Sequence, residues 1–304
     1  MYKRQIKDCA DDIKTDNLGN LIVFKKGKKS AKSKLMVSAH MDEVGLMVTD
    51  ITSDGYLKFD EVGGIDRRVL PGKRVCVGRN GLNGVIGVKP IHLTNGDEKT
   101  AVPKMNDMYI DIGAESREDA LKYVNYGDGI NFEGDFKING KTVVTKALDD
   151  RFGCYVLINL IKSEPEYDMY FTFVVQEEVG LRGARPAAFT VNPDFALVIE
   201  STTAADVAEV DASHQVCNLS KGATVAVMDR ATVYDKEMIS AAFELAEKNN
   251  IAVQYKRAVA GGNDSGAIHQ SRGGVRTLAV SLPSRYIHAV SYTHLRAHET
   301  TLHL

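Results

Sequence analysis

Five places along this chain put imidazole or carboxylate groups where they are costly to keep. His40 and Asp42 follow the apolar run Leu35-Met36-Val37-Ser38-Ala39, and Asp149-Asp150 opens a stretch with helical apolar spacing. Glu177-Glu178 ends the run over residues 171–176, Glu200 ends the run over 195–199, and His288 follows Ser284-Arg285-Tyr286-Ile287. Ionisable groups are expensive inside a sheet core, so their presence at the ends of buried strands needs a cause. Adjacent carboxylates in apolar surroundings cannot all stay ionised without cations to neutralise them. Imidazoles and carboxylates together, with no clustered cysteine, suit a borderline divalent ion such as zinc, cobalt or manganese. Two ions about 3.5–4 Å apart, bridged by one carboxylate, form the common dinuclear hydrolase arrangement.

Each place also has a plainer reading. His40 could be an ordinary hydrogen-bonded histidine, Asp149-Asp150 a helix cap with a first-turn acid, and Glu177-Glu178 exposed loop acids. Glu200-Ser201-Thr202 could be a turn. Their joint occurrence at five element ends favours a site, because the strand ends of an α/β sheet converge on one crevice.

The elements that would position these groups are legible in outline. After Lys146, helices alternate with strands, which implies a sheet covered by helices. Residues 149–163 and 235–249 carry apolar residues at helical spacing, the latter with Met238, Ile239, Ala242, Leu245 and Ala246 on one face. Strands are expected at 169–175, 195–199, 223–228, 252–255 and 277–281. From Gly63-Gly64 to about Gly140, glycines recur around short β-rich pieces such as Arg74-Val75-Cys76-Val77, with one helix capped by Ser116. That texture fits a small β-barrel or sandwich. The expected fold class is α/β: a mixed-sheet domain over residues 1–62 and 145–304, split by a β domain inserted over 63–144.

The 304 residues carry 38 Lys and Arg against 40 Asp and Glu, for a net charge of −2. Without a long basic run there is no footprint for binding nucleic acid. No apolar stretch approaches the roughly 20 residues that span a bilayer, and the start does not read as a signal peptide. Cys9, Cys76, Cys154 and Cys217 stand apart, so free thiols and a cytoplasmic location are expected.

At this point the residues resemble the dinuclear-metal aminopeptidases that include the glutamyl and the tetrahedral aminopeptidases, some once called cellulase M. The matching strings are Ser38-Ala39-His40-Met41-Asp42-Glu43-Val44-Gly45, Lys146-Ala147-Leu148-Asp149-Asp150-Arg151-Phe152-Gly153 and Gln176-Glu177-Glu178-Val179-Gly180-Leu181-Arg182-Gly183-Ala184. Two more follow in family order, Gly261-Gly262-Asn263-Asp264-Ser265-Gly266-Ala267-Ile268-His269 and Arg285-Tyr286-Ile287-His288.

The resemblance implies a mixed-sheet peptidase domain with an inserted β-barrel that mediates assembly and restricts access. It makes Asp149 the bridging ligand of two divalent ions, His40 and Glu200 the other ligands of one, and Glu178 and His288 those of the second. It implies Glu177 as general base and Asp42 as the residue that orients His40. Asp264 and His269 become substrate-pocket candidates. The implied activity is removal of the N-terminal residue from short peptides, in a homo-oligomer of dimers assembling to a dodecamer. A related dinuclear amidohydrolase, a deacetylase or carboxypeptidase, is the competing expectation. The family does not match at either end: residues 1–5 and the tail 290–304 read as non-native.

Overall fold

The structure is a computed structural model that describes residues 1–289 and the backbone of the strand Thr293–Arg296. The chain divides into two compact units, one formed by residues 1–43, 137–287 and 293–304, the other by 44–136 and 288–292.

The first unit is built on an eight-stranded mixed sheet. In spatial order its strands are Asp12–Thr15, Leu21–Lys25, Met169–Val174, Leu35–His40, Phe195–Thr203, Arg276–Ser284, Ala223–Val225 and Val253–Tyr255. The four central strands run parallel, with register pairs Val174–His40, Ser38–Val198 and Glu200–Ser281. Continued for two residues, the Ser38–Val198 register sets His40 beside Glu200 at the same end of the sheet.

Strands buried on both faces need apolar residues on both, and these have them. Val37, Ala39, Phe171, Phe173 and Ile199 pack with Cys154, Leu157, Ile158 and Ile161 of the helix Leu148–Lys162. Met36, Ala196, Val198 and Leu278 face the opposite layer, where Ala184, Ala188, Ile239, Ala267 and Ile268 come from three further helices, Ala184–Val191, Lys236–Lys248 and Ser265–Ile268. Asp235 caps the second of these by accepting the Met238 N–H. Leu245, expected on its buried face, is 59% exposed; Ile239 and Ala246 alone carry full burial there.

The second unit is a closed six-stranded antiparallel barrel in the order Gly45–Ile51, Leu57–Val62, Tyr109–Asp111, Leu82–Gly87, Arg74–Val77 and Gly129–Phe132. Leu46, Ile51, Leu57, Leu70, Val75, Ile86, Met108, Ile110 and Ile130 fill it. The first turn needs glycine: Gly55 has φ +84°, and a Cβ there would lie 2.7 Å from the Ala114 carbonyl oxygen. The barrel strands run from Gly45 to Phe132, within the compact unit over 44–136, beside the expected span of 63–144. The strands Gly45–Ile51 and Leu57–Val62, expected in the larger domain, belong to it because they pair with Gly129–Phe132 and Tyr109–Asp111. His288 also falls in this unit.

Of the two ends read as non-native, residues 2–6 form a short helix whose Ile6 is buried and whose Tyr2 ring stacks on Phe173 at 5.7 Å. Thr293–Arg296 pairs with Thr142–Thr145, which pairs on its other side with Lys137–Asn139. Residues 290–292 and 297–304 lie outside the described residues. Cys9, Cys76 and Cys154 are free thiols. Among the described residues no helix is long and apolar enough to cross a membrane.

Candidate metal centre

The site is supplied by the ends of the parallel strands Leu35–His40 and Met169–Val174, by Glu200 within Phe195–Thr203 and by the start of the helix Leu148–Lys162. His40 is the last residue of its strand and is 1% exposed. Its Nε2 lies 3.3 Å from Asp149 Oδ1 and 3.3 Å from Glu200 Oε1. Its Nδ1 lies 3.0 Å from the backbone carbonyl oxygen of Asp42, which fixes the ring and directs Nε2 toward the two carboxylates.

Asp149 reaches this point because the chain does not begin its helix where the apolar pattern does. Ala147 adopts φ +57°, and Asp149 and Asp150 have non-helical backbone inside the first turn. The Asp150 side chain turns back instead, accepting the Gly153 N–H at 3.0 Å and the His40 N–H at 3.3 Å. The helix thus caps itself on Asp150 and leaves Asp149 for the site.

Glu177 and Glu178 follow a second sharp reversal at Gln176, φ +60°. Their backbone N–H groups donate to the two oxygens of Asp42, at 3.1 and 3.2 Å. The Asp42 carboxylate, expected to orient His40, lies 3.7 Å from His40 Nδ1 and also holds the Glu177-Glu178 loop, while the Asp42 carbonyl oxygen sits closer to the ring at 3.0 Å. This became available only once the loop folded back over residue 42.

Asn20, which the sequence reading did not assign, supports the same loop from behind. It is fully buried, accepts the Val175 N–H at 2.9 Å and donates to the Gly183 carbonyl at 2.9 Å. Gly183 must be glycine, since a Cβ there would lie 2.1 Å from the Val175 carbonyl oxygen and 2.5 Å from Asn20 Oδ1. The signal for Asn20 was the turn Asp16-Asn17-Leu18-Gly19-Asn20, in which Asp16 accepts three backbone N–H groups and Gly19 takes φ +104°.

Two sets of ligand atoms lie within 4.8 Å of one another, His40 with Asp149 and Glu178, and His40 with Asp150 and Glu200. Asp150 was read as a cap, and its two backbone donors make it a support for the cluster. Burial works against a charged imidazole, but Glu200 and Asp149 outweigh it and hold His40 well above its ordinary value. Burial drives Asp150 and Glu200 upward as well. Such a cluster calls for positive charge, and a divalent ion fits the geometry. Ligands about 2.0–2.1 Å from a tetrahedral ion sit roughly 3.3–3.4 Å apart. The His40–Asp149 and His40–Glu200 distances are both 3.3 Å, and the buried Glu200 Oε2 has no hydrogen-bond partner.

The remaining expected site residues are placed as follows. Asp264 is fully buried, and its electrostatic neighbours include Glu177, His40, Asp42 and Glu178. His269 lies at the end of the helix Ser265–Ile268 with Nδ1 2.9 Å from the Ser265 carbonyl oxygen, an interaction internal to that turn. His288 sits in the barrel unit, where its Nδ1 is 3.8 Å from the position a Cβ at Gly64 would take.

The profile of the M42 glutamyl aminopeptidase family matches residues 19–304. A protein of Acetivibrio thermocellus with a provisional aminopeptidase name is 44% identical over 287 residues, covering 94% of this chain and 84% of its own length. The lysyl aminopeptidase of Pyrococcus furiosus is 34% identical, with 93% of this chain and 82% of its own covered. The solved Pyrococcus horikoshii TET1 peptidase, which can assemble into a tetrahedron or a large octahedral shell, superposes with a TM-score of 0.85 at 39% identity. That match covers 98% of this chain and 88% of the other. The chain belongs to the M42 glutamyl aminopeptidase family and is a hydrolase of the aminopeptidase class.

Proposed function

We propose that this chain is a metal-dependent aminopeptidase that removes the N-terminal residue of short peptides at a centre of two divalent ions. The observation that carries the reading is the His40 Nε2 atom placed 3.3 Å from both Asp149 and Glu200, beside an unpartnered buried carboxylate oxygen. Asp149 would be shared by the ions, His40 and Glu200 would hold one, and Glu178 would contribute to the other. The assignment of His288 to that second ion rests on the family motif alone. Zinc, cobalt or manganese held by these residues would supply Lewis-acid chemistry, polarising the scissile carbonyl and easing loss of a proton from the attacking water.

The chain's own residues supply the rest. Glu177 takes the proton from the water and delivers it to the leaving amine, the work of a positioned general base and acid. Asp42 fixes the Glu177 backbone through its carboxylate and the His40 ring through its carbonyl. Asn20 keeps the loop that carries Glu177 from relaxing. The inserted barrel serves assembly and access, and the working particle is a cytoplasmic homo-oligomer. The TET1 peptidase assemblies support that last reading.

Paired substrates test the reaction class. The chain should cleave aminoacyl amides and leave their N-acetylated counterparts intact, lose activity to a chelator, and regain it with added divalent ion. Preference for the blocked substrate would favour a deacetylase or carboxypeptidase-like amidohydrolase instead. A subunit-sized particle in light scattering would remove the assembly reading.

A further inference from the structure

Asp264 is the least explained ionisable residue in the first unit. It is 0% exposed, and neither carboxylate oxygen has a hydrogen-bond partner. It stands at the N-terminus of the short helix Ser265–Ile268 but caps nothing. Buried carboxylates are normally paired, so an orphaned one marks either a defect or a place kept for a ligand.

The surroundings argue against a defect, because the residues on either side are pinned. Asn263 donates to the Tyr234 hydroxyl at 3.0 Å and accepts the Ser265 N–H at 2.9 Å. Tyr234 in turn donates to Asp229, whose other oxygen accepts the Ala231 and Thr232 N–H groups at 2.7 and 2.8 Å. These bonds hold Asn263 and the Ser265 backbone on either side of Asp264, whose own carboxylate stays unbonded. Its electrostatic neighbours are Glu177, His40, Asp42 and Glu178, the groups of the metal centre.

The geometry points to Asp264 as the residue that receives the positively charged amino terminus of the peptide, a role that rests on the aminopeptidase reading above. A charge-assisted hydrogen bond from an α-ammonium to a desolvated carboxylate is among the stronger polar contacts available. It would set the scissile carbonyl one residue inward from a fixed point, which defines an exopeptidase. Residues 259–262, just before Asp264 in the chain, are exposed, and Gly261 has φ +68° with nothing within 4 Å of its Cβ position.

The test compares two probes that differ only in the amine, alanine hydroxamate and propionohydroxamate, bound to the metal-loaded chain and to Asp264→Asn. The native chain should prefer the amine-bearing probe, and Asp264→Asn should lose about tenfold or more of that preference. Affinity for propionohydroxamate and metal content should stay unchanged. Asp264→Ser, too short to reach a ligand, should show the same loss of preference. An undiminished preference in both variants overturns the assignment and leaves the aminopeptidase reading standing. Loss of metal or failure to fold in Asp264→Asn overturns it in favour of a ligand or structural role. A native chain that ignores the amine contradicts the assignment and the aminopeptidase reading together.

Discussion

Asp42 holds Glu177 by its backbone: one carboxylate oxygen accepts the Glu177 N–H at 3.1 Å, and the other accepts the neighbouring Glu178 N–H at 3.2 Å. One residue thereby fixes the proposed general base and one candidate ligand, while its carbonyl lies 3.0 Å from the His40 ring nitrogen. Asp42→Ala should lower metal affinity or turnover by about ten- to a hundredfold, the usual range for a group that orients ligands. Asp42→Asn, which keeps only one acceptor oxygen, should fall between. Metal titration and steady-state kinetics on the two variants check this, and native behaviour in both would refute it.

Glu177→Gln should bind the metals normally, since the ligand set is intact. Its turnover should drop by about a hundred- to ten-thousand-fold, the contribution of a positioned proton carrier. Metal analysis beside kinetics separates this from a binding defect, and retained turnover would assign the base to another group.

Asn20→Ala removes the acceptor for Val175 and the donor to Gly183 inside the fold. Each backbone group left unpaired costs about 1–3 kcal/mol, so denaturant unfolding should show a loss in that range or above. Turnover should fall too, although Asn20 touches no ligand. An unchanged unfolding midpoint would mean that the loop carrying Glu177 does not depend on this contact.

Stability of the metal-free chain should fall as pH rises. His40, Asp150, Glu200 and Asp264 all stand well above their ordinary values of 6.5, 3.8, 4.5 and 3.8. A group raised on folding binds more protons in the folded state; its stabilisation is complete below the ordinary value and is lost as pH climbs through the raised one. Metal binding instead requires deprotonated ligands, so its contribution grows with pH. Melting curves of chelated and metal-loaded protein from about pH 5 to about pH 8 should therefore diverge, the first falling and the second holding or rising. Parallel curves would contradict the placement of the metals on these groups.

The reach of the sequence differed between parts of the molecule for physical reasons. His40 and Glu200 were legible because apolar runs end abruptly in an ionisable residue, and parallel register sets those ends level. The barrel boundary was not, because Gly45–Ile51 reads like any half-buried strand. Only its distant pairing with Gly129–Phe132 assigns it to the barrel. Leu245 fits the helical stripe and still points outward, since helix Lys236–Lys248 buries only Ile239 and Ala246 fully. The division of labour between Asp149 and Asp150 depends on the backbone turn at Ala147, which local pattern does not encode.

The central claim is that Asp149 joins two divalent ions to one set of side chains. Elemental analysis of the purified chain and of Asp149→Asn, each dialysed against the same divalent ion, tests it most directly. The account predicts two ions per native chain, with activity that tracks occupancy, and loss of both ions and of activity in the variant. A native chain that hydrolyses aminoacyl amides without metal, or an Asp149→Asn chain that keeps both ions and full turnover, would contradict it.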